Sequence, residues 1–497
     1  MSSINTNKYR TFLAQQFRTT LLLGGADSTV KADITSTNTA LMSAGAATTS
    51  EFYLGVGRPQ SWDNDAAPPA PSQDTQSLDF TAWRDLLGVK HITANNSALV
   101  ITRHNWSANT VYTQYDDTNA SLMSNTFYVL DTTELPYKVY KCLWNNADSD
   151  HISGANSTVA PSTTGSTVTP VLTADGYVWK YMYTVTTDDY TYLTADWMPV
   201  KTNSTVSNHA ANNAGKLYPV VPLVVTAGGS GYNPAVDATA TVLGNGIGAV
   251  INANGISFSA NAVANVSFGH SDTDSNVGIG YTTINANTDS FSVIPVTQSG
   301  SSNTATVRAL IPPYPNHGHD AVKELGCVSV MLTTELAYAE PHSNSSMTVV
   351  NEYRRVMLLR DPLLADGSVA NGIFYQQTYD CSLTSNTATF EPDDVVTVTN
   401  TTYTVTGTVV DVIKNSESPQ ESVVRITNVH DGGRTAAGYV AFANTDTITS
   451  SSVTAVLGTV RKPELKFYSG NVLYVDHRVP VTRSDAQVEE VRLVFGF

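Results

Sequence analysis

From Ala98 onward the chain repeats one pattern: short runs in which apolar residues alternate with polar ones, each closed by Gly, Pro, Asn or Asp. ALVITRHNW, NTFYVL, YKVYKCLW and GYVWKYMYTV follow one another in this way. Successive side chains of a strand point to opposite faces, so a period of two sends one set of residues into a core and the other outward. This spacing, with this turn chemistry, predicts a mainly β, multi-domain chain of antiparallel β-sandwich or barrel architecture with a few short helices. Composition agrees. Only 14% of residues are charged, against roughly 25% in average soluble proteins. Thr, Ser and Asn make up the difference, and they favour strands and turns over helices.

Two stretches break the pattern. Tyr9, Phe12, Leu13, Phe17 and Leu21 recur at helical spacing ahead of Gly24 and Gly25, predicting an amphipathic N-terminal helix whose apolar stripe docks on a partner or a sister copy. In SLDFTAWRDLLG, Asp79 is placed as N-cap, Phe80, Trp83, Leu86 and Leu87 as one face, and Gly88 as C-cap. Between them EFYLGVGRPQSW predicts a strand stopped by Gly57 and Pro59, followed by AAPPAPSQ as an extended surface loop.

A chain of 497 residues exceeds one ordinary core. Residues 1–216 are expected to form an N-terminal β domain carrying the amphipathic helix, with HISGANSTVAPSTTGSTVTP as a polar loop on its edge. Residues 217–312 change style to short Val/Ala/Thr runs between glycines. There Gly229-Ser230-Gly231-Tyr232 returns as Gly278-Ile279-Gly280-Tyr281, a duplicated unit with too few copies for a solenoid. Residues 313–366 and 461–497 resume the first style and complete the framework. Val491, Leu493, Phe495 and Phe497 lie on one side of the last strand. Residues 367–460 hold four or five short strands, which predict a small barrel.

Several functions are disfavoured. A net charge of −16, from 27 basic and 43 acidic residues, argues against a nucleic-acid surface. MSSINTNKYRTFLAQQFRTT lacks the apolar core of a secretion signal and no run reaches a membrane span, so a protein made and kept in the cytosol, or released by lysis, is expected. Cys142, Cys327 and Cys381 lie far apart and are expected to be buried, reduced thiols. GGSGY and GNGIGA lack the lysine of a phosphate loop, and Ser230 sits in no nucleophile elbow, so no cofactor is expected. His317-Gly318-His319, with Asp320 adjacent and His342 downstream, offers two ligands at best from a Pro/Gly turn and no obvious third, which predicts a surface turn and no metal. Asp116/Asp117, Asp188/Asp189 and Asp393/Asp394 are adjacent pairs. Neighbouring strand residues point apart, whereas glycoside hydrolysis needs two carboxyls facing one sugar, so turn roles are expected.

GYVWKYMYTV places Tyr177, Trp179, Tyr181 and Tyr183 on one side of a strand. Each buried ring removes roughly 150–250 Å² from water. At about 25 cal/mol per Å², four rings represent on the order of 15–25 kcal/mol as an upper bound. So much apolar area predicts a core or a protein interface, with the tyrosine hydroxyls at the rim, and not a sugar platform.

YRTFLAQQFRTT, FYLGVGRPQSW with its proline loop, WRDLLG, TRHNW, YKVYKCLW, DGYVWKYMYTV and GNVLYVDHRVPVTRSDAQVEEVRLVFGF occur in this order. The set resembles the baseplate wedge subunit of T-even-type contractile-tailed phages, in the version carried by phages of cyanobacteria. It covers about residues 8 to 200, 317 to 366 and 460 to 497. The resemblance implies a non-enzymatic virion protein, dimeric within each wedge, that joins neighbouring wedge proteins in the tail baseplate after assembly in the host cytoplasm. Residues 217–312 and 367–460 depart from the compact family member and look like insertions. Arg478 and Arg483 in DHRVPVTRS are expected to make polar contacts near such an interface, or to pair with Asp476 and Asp485. Two rival expectations are a tail-associated receptor-binding protein and a glycan depolymerase.

Overall fold

The structure, a computed structural model, describes residues 4–24, 50–72, 75–147, 151, 153–233, 240–242, 244–268, 277–282, 305–337, 341–342, 345–346, 352–384, 389–399, 404–415, 422–431, 441–451, 453–484 and 487–497. It is mainly β with few helices. Two compact units divide the chain: Met1–Gln15 with Ala98–Met331 and Phe495–Phe497, and Gln16–Ser97 with Leu332–Val494.

The first unit holds a four-stranded antiparallel sheet in the order Tyr128–Asp131, Lys138–Asn145, Tyr177–Thr184, Val171–Leu172. The polar loop after His151 is tied to it. Ser157 bridges to Thr110, and the Asp175 carboxylate accepts the backbone N–H groups of Thr158 and Val159 at 2.7 and 2.9 Å. The glycine-rich segment builds small sheets around a core of its own. Its repeated motif places two glycines at positive φ in each copy, Gly229 and Gly231 in the first and Gly278 and Gly280 in the second. Each copy delivers a buried tyrosine, Tyr232 and Tyr281, to that same core. Gly246 is required there: a Cβ would sit 2.5 Å from the Tyr281 ring.

The second unit contains a five-stranded antiparallel sheet, ordered Phe374–Gln376, Leu86–Ile92, Phe52–Gly57, Glu352–Arg360, Asn471–Thr482. It also contains a closed six-stranded barrel, Tyr379–Leu383, Val423–Asp431, Thr404–Ile413, Val395–Thr399, Thr447–Ser450 and Val453–Arg461. Val396, Val398, Val405, Val409, Val424, Ile426, Ile448 and Leu457 fill it. It has more strands than the sequence suggested because TYDCSL and DTITS are short and polar, with little apolar alternation to mark them. In the last strand, Val488–Gly496, Glu489, Val491 and Leu493 point inward by turns.

Both helices differ from expectation. The N-terminal helix spans Asn7–Gly24, but Thr11, Ala14 and Leu21 form its buried side while Tyr9 and Phe12 are half exposed. Gly25 lies outside the described residues. The second helix runs Gln76–Arg84, capped by Thr75, whose hydroxyl accepts the Leu78 N–H; Asp79 falls in its first turn. Leu86, Leu87 and Gly88 belong to the following strand. Gly88 is there because a Cβ would meet the Phe374 ring at 2.6 Å, a cross-strand contact that imitates a C-cap glycine in the sequence.

Candidate assembly surface and buried charge clusters

The aromatic strand Tyr177–Thr184 lies between two others, and every residue but Thr184 is buried. Tyr177, Trp179 and Tyr181 share a core with Tyr112, Val129, Tyr140 and Cys142. Tyr177 stacks on Trp179 at 5.4 Å, and Tyr112 meets Trp179 edge-on at 5.7 Å. Tyr183 departs from the expected single face. Tyr181 lies opposite Tyr140, yet Tyr183 lies opposite Val139, so an extra residue on the aromatic strand turns Tyr183 to the other side. Its hydroxyl donates to the Pro199 carbonyl at 2.8 Å. Tyr177 donates to the Ala155 carbonyl at 2.6 Å and accepts the Tyr112 N–H at 3.1 Å. Tyr181 bonds Thr184 at 2.6 Å. These rings are core, covered by the chain's own loops, and leave no platform for a ligand.

The opposite face of the sheet carries charge. Lys141 and Lys180 are cross-strand partners, and both are fully buried. Lys141 Nζ donates to Glu324 Oε2 at 3.0 Å and to His317 Nδ1 at 3.1 Å, and lies 4.4 Å from the centre of the Tyr115 ring. An ammonium only donates, so His317 Nδ1 is the bare nitrogen and the proton sits on Nε2. Glu324 Oε1 accepts the N–H groups of Gly318 and Asp320 at 2.8 and 3.3 Å. Burial, with both lysines, holds His317 well below the usual imidazole range. Burial lowers Lys141 against the pull of Glu324. Lys180, whose Nζ donates to the Val168 carbonyl, is brought down by burial to about 8.

His317 is therefore not on a surface turn, as its Pro/Gly surroundings suggested, but inside. Gly318 beside it has φ +88°, and a Cβ there would strike Val206 at 2.4 Å and approach the Lys180 stem at 3.1 Å. His319 instead lines a cleft of ≈970 Å³ together with Lys8, Tyr115, Asp116, Tyr314 and Lys323. The two imidazoles thus face different surroundings. Among the described residues no group of three His, Cys, Asp or Glu side chains gathers to hold a metal.

A pH dependence follows from Lys180. Its folded pKa of about 8 lies below the ordinary 10.5, so between these values the unfolded chain binds a proton that the folded chain does not. Stability therefore rises with pH through that window, by about 3 kcal/mol at most. Denaturant melts of wild type and Lys180→Met at pH 7.5 and 10 test this: wild type gains stability relative to the variant as pH rises, and a difference that stays constant contradicts it.

The acidic pairs are engaged structurally. Asp189 caps a short helical turn through Thr186 and pairs with Lys201. Asp394 accepts the Glu391 N–H at 3.0 Å. Asp116 and Asp117 face the same cation, Arg308. They do so from a loop, where the opposite-face rule for strands does not apply, and Asp116 also closes a turn onto Thr118 at 2.8 Å. The cysteines are buried, two of them with thiol pKa values raised by burial, Cys142 and Cys381.

Of the residues singled out for contact, Tyr9 and Phe12 are 50% and 51% exposed, while Phe17 meets Phe52 edge-on at 6.2 Å. Arg478 lies on Asn471–Thr482, the edge strand of the five-stranded sheet, and pairs with Asp476 at 2.6 Å. Pro480 in the same strand suits an edge, since it has no N–H to give a further neighbour. Arg483 is buried. It donates to Glu489 Oε2 at 2.9 Å and to the Ala337 carbonyl at 2.6 Å, while Asp485 lies outside the described residues.

One cluster escaped the sequence. Arg58, Trp62, Asp85, Arg355 and His477 come together from four separated segments. Arg355 pairs with buried Asp85 at 2.6 Å, and Arg58 Cζ stands 3.8 Å from the Trp62 ring centre. Burial raises Asp85 to about 6 against the pull of both arginines. Only the short spacing of Arg58 and Trp62 was visible in advance. No protein-family model matches the chain, and no curated protein matches it.

Proposed function

We propose that the chain is a structural subunit of a contractile-tail baseplate, a wedge component of the virion that links neighbouring wedge proteins and a second copy of itself. The ordered motif set from YRTFLAQQFRTT to VEEVRLVFGF carries this reading. The outward Tyr9 and Phe12 of the N-terminal helix support it, because aromatic rings left half exposed on one helix are suited to burial against another protein. The engagement of each acidic pair in caps, turns and ion pairs favours it over glycan cleavage.

Co-expression with the other tail proteins tests the surface. Wild type is retained by them, whereas Tyr9→Ser with Phe12→Ser reduces retention by about tenfold or more. Its own melting should stay nearly unchanged, since exposed positions usually contribute within about 0.5 kcal/mol. Equal retention of both forms contradicts the assignment of this helix.

A further inference from the structure

We propose that Arg58, Arg355 and His477 form a binding site for one oxyanion, a carboxylate or a sulfate-like group, held beside the Trp62 ring. The site is independent of the tail assignment. Arg58 Cζ lies 3.8 Å and Arg355 Cζ 5.8 Å from the centre of that ring, and the His477 ring lies 4.5 Å from it. Both guanidiniums share a single carboxylate, Asp85, at 3.9 and 2.6 Å. Two guanidiniums therefore share one buried carboxylate, with the exposed Asp63 acting on Arg58 as well. Arg355 is only 2% exposed. Arg58 Nε, Arg355 Nε and His477 Nε2 are buried and hydrogen-bond to nothing. Gln60 Nε2, on the loop between Arg58 and Trp62, is in the same condition. The Arg58, Arg355 and Gln60 nitrogens are buried donors without acceptors, which is costly, and the His477 nitrogen becomes a further donor only when the ring is protonated. A water would satisfy them but leave both guanidiniums on one buried carboxylate, whereas an oxyanion supplies acceptors and a second negative charge beside them. Arg58 also has φ +56°, a conformation that side chains other than glycine rarely adopt, so the backbone is held unusually at the residue that presents the guanidinium.

His477 makes the site proton-linked. Its Nδ1 lies 2.9 Å from the Pro69 carbonyl, which only accepts, so Nδ1 carries a hydrogen and Nε2 of the neutral ring is a bare lone pair. An oxyanion fits beside Nε2 only when that nitrogen is protonated as well. The groups facing the ring are Arg355 opposite it in register, Arg58, the Trp62 ring, the Pro69 carbonyl and Asp476 on its own strand. With no anion, burial foremost and then the two arginines lower His477, against Pro69 and Asp476. Binding an anion reverses that balance, takes up a proton, and tightens as pH falls through the imidazole range.

Calorimetric titration of the full chain with sodium sulfate and with sodium acetate, at pH 6 and pH 8 in constant chloride, tests the site. Neither probe changes charge over this range, and the two arms separate the sulfate-like group from the carboxylate. The expected result is saturable binding of one anion, about tenfold tighter at pH 6. Arg58→Gly, which accommodates the positive φ, loses binding while keeping the fold, and His477→Gln binds without the pH dependence. Absence of saturable binding for both probes, binding by Arg58→Gly equal to wild type, equal affinity at the two pH values, or pH dependence that survives His477→Gln overturns the proposal.

Discussion

Trp179→Ala is expected to cost about 3–5 kcal/mol, measured as a lowered midpoint for the unit that contains the aromatic sheet. The indole is almost fully buried, stacked on Tyr177 and met edge-on by Tyr112. Removing it opens a cavity between two ordered rings and a strand held on both sides, where little can collapse to fill the space. Trp179 Nε1 makes no hydrogen bond, so Trp179→Phe should recover most of the loss. A near-zero shift for the alanine variant contradicts the core placement, and a phenylalanine variant as damaged as alanine contradicts the packing explanation.

Glu324→Ala is expected to be comparably severe, about 3–5 kcal/mol. This carboxylate bonds Lys141 and two backbone N–H groups, and it is the anion between two buried lysines. Its loss leaves Lys141 and Lys180 charged or forces them to release protons, and it strands the donors of Gly318 and Asp320. Adding Lys141→Met to Glu324→Ala should recover part of the stability, because the pair is then removed together. Denaturation of the single and double variants gives the coupling energy, and simple additivity would show that the ion pair is not the unit that matters.

Much of the architecture was readable because strand alternation and turn residues are local signals. The runs YKVYKCLW and GYVWKYMYTV became adjacent antiparallel strands, and FYLGVG ended where its glycine and the following proline indicated. The failures share a cause. Tyr183 changed face through a bulge that only the register reveals. Gly88 looked like a helix cap because its true reason, the Phe374 ring, comes from a distant strand. The N-terminal helix buried Thr11 and Ala14 together with Leu21, and left Tyr9 and Phe12 half exposed. Charge clusters were the least legible. Lys141, Lys180, His317 and Glu324 carry no shared spacing, nor do Arg58, Arg355 and His477, and only long-range pairing assembles either group. Tyr9 and Phe12 lie on the expected helix but outside its buried side, so the exposed apolar surface is carried by the helix and not by the aromatic sheet.

The role proposed for this chain lies inside a larger tail assembly. The most direct measurement is the composition of the complex recovered when it is produced together with the other tail proteins. A fixed molar ratio, held through successive purification steps, is the predicted result. A chain that leaves the column alone as a stable monomer, and releases sugar ends from host envelope glycan, would contradict it.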